Sequence, residues 1–519
     1  MNTMADHLIP PQSIWTNAEW VEQRNLYAEY KALYDGEEAK TKKTDDGELM
    51  YPLMLNPSAK VCRIHRAVLF GMRDEELTLP VRPLIQDADV SLDDRRMTQD
   101  MIEDVWTDSD GIATLEEAGL LLQIYGGQFF KVRWDPFNLN LQHGISVQSF
   151  KSPAWCLPVY DLSDPFNLHK AYIGYYISAE LAKSKYHVDV APDKDKVFYL
   201  ETWDKATWSV KIDGKVATEY YPDGRVDVNG QNQAKLEGAN LWGAVPIVYI
   251  PHERDGKFYG QSLIRDMAGL TRELNSREAD IGDAVSVQTH RTLAVKNAQG
   301  RTNLKMRPIL GLDGKKVNEA LDLGNKPAMQ HSGDPHMWAI ENPDVPSAVQ
   351  DFPSELWGEI RTATDIASVA MGEDDVSGGR ITGPVTAYRM WPTMSHCMTE
   401  RSNFATGMNH IAKLILRIAR VQTEGNQYKA FGRISPTLPK MAEDFRITQS
   451  WYPMIPIEAL QKNTMLNARL AVGGISVHQY LIEMREQNVK EEEERIWADR
   501  ERLAEIERGP ENEAGPDIQ

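Results

Sequence analysis

Residues 261–297 read QSLIRDMAGLTRELNSREADIGDAVSVQTHRTLAVKN. Leu263, Met267, Leu270, Leu274, Ile281 and Val285 recur at steps of three, four or seven, the spacing of one helix face and close to a heptad. No proline interrupts Gln261 to Asn297, so the spacing predicts a single helix about 55 Å long at 1.5 Å per residue. Arg265, Arg272 and Arg277 alternate along it with Asp266, Glu273, Asp280 and Asp283.

Downstream, residues 298–346 are rich in Gly and Pro with short strand-like pieces and read as a small insertion. A shorter helix is predicted from about Ser354 to Val369, then a Gly-rich stretch from Met371 to Pro384. A second long helix is predicted from Val385 to Gln422. Met394, Met398, Met408, Ile411, Leu414, Ile415 and Ile418 form its apolar face, and Pro392 should kink it near the start. The last part of the chain reads as helical again. Ile457 to Val472 is stopped by Gly473-Gly474, Ser476 caps Val477 to Glu486, and Val489 to Ile506 is a charged helix. Residues 509–519 are expected to be a disordered tail.

Upstream, residues 14–35 carry an aromatic-rich amphipathic pattern, and 58–73 read as a largely buried helix. Thr114 and Glu117 have the spacing of a capping box ahead of a helix from Leu115 to Tyr125, which Gly126-Gly127 should end. Phe129 to Trp134 then reads as a strand. The chain stays strand-rich to about Pro251, with turns at Asp213-Gly214, Pro222-Asp223-Gly224 and Asn229-Gly230. The fold class is therefore α+β, an antiparallel β region set among helices.

The chain has 519 residues, too many for one ordinary core. Its net charge of -19 argues against a protein that grips DNA by its phosphates, which needs Lys and Arg to displace counterions. Cys62, Cys156 and Cys397 are far apart and form no CxxC pair, so neither a disulfide framework nor a cysteine zinc site is expected. No signal peptide and no apolar run of membrane-spanning length is read, so the expectation is a soluble, non-exported protein.

Motifs for chemistry are missing. There is no GxxxxGK[ST], HExxH, GxSxG or GxGxxG, and the Gly-Lys pairs at Gly214, Gly256 and Gly314 continue with Val, Phe and Lys. Trp106 to Gly111, with Glu117 beyond, resembles a calcium loop, but Trp stands at the first ligand position and a polar loop is the better reading. His331, Asp334 and His336 are read as solvated polar residues rather than metal ligands, and Glu491 to Glu494 as a solvated helix face. Asp374 and Asp375 are adjacent, with no visible base or nucleophile to complete a catalytic pair. No catalytic residue, metal or cofactor is expected.

The order of these parts resembles the portal proteins of tailed bacteriophages, of the siphophage type, over nearly the whole chain. The resemblance is carried by Tyr51-Pro52-Leu53 through Arg63 to Phe70-Gly71 and by Tyr125 to Asp135. It continues in Val245-Pro246-Ile247-Val248, in Tyr259-Gly260-Gln261-Ser262 before the long helix with Asn275 and Asp280, and in Gly473 to Ser476 ahead of Glu491 to Ile496. It implies a portal fold: a wing over 1–260, a stem helix over 261–297, a clip over 298–346 and a second stem helix over 347–370. It further implies a tunnel loop over 371–384, a kinked wing helix over 385–425 and a helical crown over 426–508.

The implied function is a ring, typically of twelve copies, at one capsid vertex of the virion, assembled in the host cytoplasm. Double-stranded DNA is packaged and ejected through such a ring. The implied partners are further copies of the chain, the DNA, the terminase packaging motor, the head-tail adaptor, the major capsid protein and a scaffold protein, with no membrane. The resemblance places Asp374, Asp375, Ser377, Gly378, Gly379, Arg380 and Thr382 on the DNA path. Arg265, Arg272, Glu273, Arg277, Asp280 and Asp283 would lie at stem contacts, where mixed charges can pair across subunits. A scaffold or minor capsid protein, and a metal-dependent hydrolase using Asp374 and Asp375, are the alternatives weighed.

Overall fold

The computed structural model describes residues 18–37, 55–71, 79–86, 90–135, 138, 140–164, 166–191, 194–220, 233–289, 293–296, 306–310, 316–321, 336–339, 347–372, 385, 388–423, 429–430, 433–434, 445–454, 456–484 and 489–508. It is a mixed α+β protein in two units. One comprises Met1–Glu38, Asn56–Thr271 and Glu359–Gln519, the other Ala39–Leu55 and Arg272–Gly358.

In the larger unit, α1 (Ala18–Asp35) buries Trp20, Tyr27, Tyr30 and Leu33, the aromatic face read from the sequence. Asn56 caps α2 (Pro57–Phe70) by accepting from the Ala59 amide at 3.0 Å, with Pro57 in the first turn. Helix α3 (Leu92–Asp108), capped by Ser91, was not anticipated. Its last turn holds Trp106 and Asp108, so the calcium-like stretch is helix rather than loop. Helix α4 (Gly111–Tyr125) starts earlier than expected and without a capping box: Asp110 is its N-cap, and the Thr114 hydroxyl donates back to the Ser109 carbonyl at 3.1 Å. Glu117 pairs with Lys151.

Gly126 ends α4 in the left-handed region at φ 81°. A Cβ there would sit 2.4 Å from the Gly260 carbonyl oxygen, so two backbones meet where only glycine fits. The next residues form β2 (Gly127–Trp134), the middle strand of an antiparallel sheet between β12 (Ile247–Pro251) and β3 (Ile145–Ser149). A second antiparallel sheet has the order β11-β7-β6-β5-β4, built from β4 (Cys156–Val159), β5 (Lys170–Ser178), β6 (Lys196–Asp204), β7 (Thr207–Ile212) and β11 (Glu237–Ala239). Asp213 and Gly214, both at positive φ, make the hairpin after β7 as expected. The other two turns read from the sequence lie outside the described residues.

Helix α6 (Leu263–Thr289) is shorter than the expected 261–297 and about 40 Å long. Its continuation is β13 (Leu293–Lys296), which pairs with β16 (His336–Ala339). Strand pairing over Leu293-Ala294-Val295 overrides a helical period there. Between them β14 (Met306–Leu310) and β15 (Lys316–Leu321) pair with each other. Helix α7 (Ser347–Ala363) opens earlier and closes earlier than the predicted Ser354 to Val369. It stops because Asp365 turns left-handed at φ 53°.

The second long helix, α8, runs Trp391–Thr423. Residues 385, 388 and 389 are helical, Met390 is a turn and α8 begins at Trp391, so the helical path is interrupted beside Pro392, near where the kink was expected, and Pro392 itself lies in the first turn of α8. Residues 426–508 are not wholly helical: β19 (Ile447–Trp451) pairs antiparallel with β1 (Val81–Ile85). Trp451 stacks on Phe70 and meets Phe404 edge-on with ring centres 5.9 Å apart. Phe404 also meets Phe130, joining α2, α8, β2 and β19 in one aromatic core. Helices α9 (Pro456–Ala471), α10 (Val477–Met484) and α11 (Val489–Arg508) follow the predicted spans closely. Gly473 sits at φ 70° after the first, and Ser476 caps the second by accepting from the Gln479 amide at 3.0 Å. The tail 509–519 lies outside the described residues.

Candidate functional site

Of the expected stem residues, Arg265, Arg272, Arg277 and Asp280 are exposed on α6 and Glu273 is half-buried. Arg277 pairs along its own helix with Glu273 at 2.8 Å and Asp280 at 3.3 Å. Such exposed pairs contribute little to stability. The Asp283 side chain lies outside the described residues, as do Asp374, Asp375, Ser377, Gly378, Gly379, Arg380 and Thr382. The same holds for His331, Asp334 and the side chain of His336.

The most concentrated chemistry among the described residues was not anticipated. It is a buried cluster in the larger unit around Glu400, on α8, with His65 from α2, His252 just after β12, and His396 one turn before Glu400. Cys397 is also buried beside it. Glu400 Oε1 lies 2.6 Å from His252 Nε2, 3.1 Å from His396 Nε2 and 3.8 Å from His65 Nδ1. Its other oxygen accepts from Gln123 Nε2, on α4, at 2.8 Å.

The outer nitrogen of each ring is also engaged. His65 Nε2 donates to the Thr364 carbonyl at 2.9 Å, and His252 Nδ1 to the Gln261 carbonyl at 2.9 Å. His396 Nδ1 lies 3.3 Å from Asp365 Oδ2. Local backbone geometry holds these acceptors. The Thr393 hydroxyl donates to the Asp365 carbonyl at 2.7 Å and accepts from the Ala367 amide at 2.9 Å, pinning the turn after α7 against α8. The Gln261 amide donates to the Glu253 carbonyl at 3.0 Å, closing the loop that begins at His252.

Electrostatics follow from this crowding. Burial pushes the Glu400 carboxyl up, but the neighbouring imidazoles outweigh it and hold the group well below the usual carboxylate range. Burial alone lowers His396. The Glu400 and Asp365 carboxylates outweigh it and lift the ring to about 9. His396 Nε2 is within ion-pair distance of Glu400 yet makes no hydrogen bond.

A second polar focus lies in a pocket of about 370 Å³ walled partly by Trp203, Trp208 and Trp242. Trp203 stacks between the other two at 5.4 and 5.2 Å. Glu201 there accepts from Lys131, Trp203 and Tyr199, so the pocket's charged groups satisfy each other.

Only one local signal could have pointed to the Glu400 cluster: His396 and Glu400 at i, i+4 share a helix face. Residues 65, 252 and 396 have no spacing that a motif search detects. No protein-family model matches the chain, and no relative is found among curated proteins.

Proposed function

We propose that this chain is a portal-type protein of a tailed bacteriophage, forming a ring at a capsid vertex through which double-stranded DNA is packaged and ejected. The observation that carries the reading is the smaller unit. There α6 leads into two antiparallel strand pairs, β14–β15 lying in sequence within β13–β16, and the chain leaves by α7. This is the stem, clip and stem order of the resemblance. The unit is small and compact by itself, as a docking clip for a motor and then a head-tail adaptor requires.

Exposed apolar side chains support assembly with further copies. Tyr388 and Trp391, at the start of α8, are 81% and 56% exposed, and Trp497 and Leu503 are exposed on α11. Large aromatic groups in water favour a partner surface, and a closed ring of identical copies supplies one by rotation. The acidic balance suits a channel that lets DNA slide, because few counterions are released on contact. The protein acts without catalysis of its own, and the motor supplies the work.

Electron microscopy of the purified chain tests this. Closed rings with a central hole are expected, with no ATPase or nuclease turnover. A strictly monomeric species at micromolar concentration would sink the proposal.

A further inference from the structure

We infer that His252, His396 and Glu400, with His65 as the nearest further donor, form a buried, structural binding site for one divalent transition-metal ion of the zinc class.

The first argument is the direction of the rings. A backbone carbonyl can only accept, so the nitrogens facing Thr364 and Gln261 carry hydrogen. Metal binding displaces the proton that the other nitrogen shares with Glu400 in the ion-free state and leaves a lone pair there. In all three rings that other nitrogen faces Glu400 Oε1, at 3.8, 2.6 and 3.1 Å. The inner nitrogens of His252 and His396 and the carboxylate oxygen lie close enough together to form one ligand set, and His65 Nδ1 approaches the same oxygen from beside Cys397.

The second argument is the outer contacts. Histidines that hold metals tie their far N–H to a backbone carbonyl or a carboxylate, which fixes ring orientation and raises basicity. Here two rings use carbonyls and His396 faces the Asp365 carboxylate. Gln123 occupies Glu400 Oε2 and leaves Oε1 for the centre.

The third argument is distance. Bonds near 2.0–2.1 Å in a tetrahedron place ligand atoms about 3.3–3.5 Å apart. The atoms of His252, His396 and Glu400 lie within 4.8 Å of one another, so shifts below an ångström suffice. His396 Nε2, buried and without a hydrogen bond, gains a partner by that shift. Imidazole and carboxylate donors, with the Cys397 sulfur 3.8 Å from His65 Nδ1, suit zinc, cobalt or nickel better than magnesium or calcium. Burial of these donors in the core, with His65 Nδ1 3.8 Å from Glu400 Oε1 to complete the set, suits a structural ion rather than a catalytic one.

The test uses the full chain, purified without a histidine tag. Elemental analysis should find about one zinc per chain. Removing the metal with a chelator should lower the melting temperature, and added Zn²⁺ should restore it. Co²⁺ in its place should show the visible absorption of a tetrahedral site. Asp365→Asn, which removes an outer contact and no ligand, should weaken Zn²⁺ binding about 10- to 100-fold. A wild-type chain that holds no metal, and whose melting is unmoved by micromolar Zn²⁺ or Co²⁺, overturns the inference and leaves a cluster held by protons alone. Tetrahedral cobalt that survives in His252→Ala/His396→Gln would also overturn it, by locating the ion elsewhere. None of these outcomes depends on whether the chain forms rings.

Discussion

Glu201 is buried on β6 and accepts hydrogen bonds from Lys131, Trp203 and Tyr199. Burial raises its carboxyl, but the Lys131 ammonium and these donors outweigh it and hold the group below its ordinary 4.5. A depressed folded value means stability that is present above pH 4.5 and lost as pH falls through the folded value. Glu201→Gln leaves the half-buried Lys131 without its counter-charge, at a cost of about 3 kcal/mol at neutral pH. Denaturant melts of both proteins from pH 7 to pH 3 should show that gap closing on the acid side. A gap that stays constant would assign the loss to packing instead. Gly126 gives a second residue-level test. Alanine there must adopt φ 81° and meet the Gly260 carbonyl, so Gly126→Ala should cost more than about 2 kcal/mol, read from the denaturant midpoint.

At the scale of elements, what could be read from the sequence was what local chemistry decides. The apolar face of α1, the glycine after α4, the Asp213-Gly214 hairpin and the Ser476 cap each depend on a few neighbouring residues. The errors fell where distant partners decide. Leu293 to Lys296 continues a helical period, yet β16 claims it as a strand. Ile447 to Trp451 shows little by itself and becomes β19 because β1 is its partner. The Glu400 cluster stayed hidden for the same reason, since its ligand-like atoms come from segments with no common motif. The β1–β19 pair yields a prediction. A chain ending after Met454 keeps Phe445, Ile447, Tyr452 and Met454 buried and should melt like the full protein. A chain ending after Thr423 loses the partner of β1 and the stacking of Trp451 on Phe70, and should lose cooperative melting. Equal melting of the two would mean that this strand is dispensable. Pro392→Ala should shift stability by less than about 1 kcal/mol, because the first helical turn tolerates proline. A gain near 3 kcal/mol, the cost of an interior proline, would place it inside a longer helix.

For the whole molecule, the proposed ring ties surface charge to assembly rather than to folding. Arg265 is exposed at the start of α6, beside Asp266. Reversing it should move the melting of a monomeric fraction little, since exposed charges contribute about 0–1 kcal/mol. In a ring the same change meets neighbouring copies of α6 many times over. Arg265→Glu should therefore lower the ring fraction in sedimentation runs, and more so at low salt, where screening is weakest. Unchanged ring content at low salt would remove Arg265 from the subunit contact.

The pairing of β1 with β19 also bears on how the protein is made. Leu84 and Thr448, hydrogen-bonded across that pair, are 364 residues apart. At roughly 5–20 residues per second the ribosome needs about 20–70 s to cover that distance. Throughout that time the nascent chain carries an open strand edge at β1, and the face of Phe70 that Trp451 covers stays bare. Contacts so remote in sequence also form slowly once both ends exist. Chaperone supply and growth temperature during expression should therefore govern the yield of soluble chain, through competition between aggregation and completion of the polypeptide.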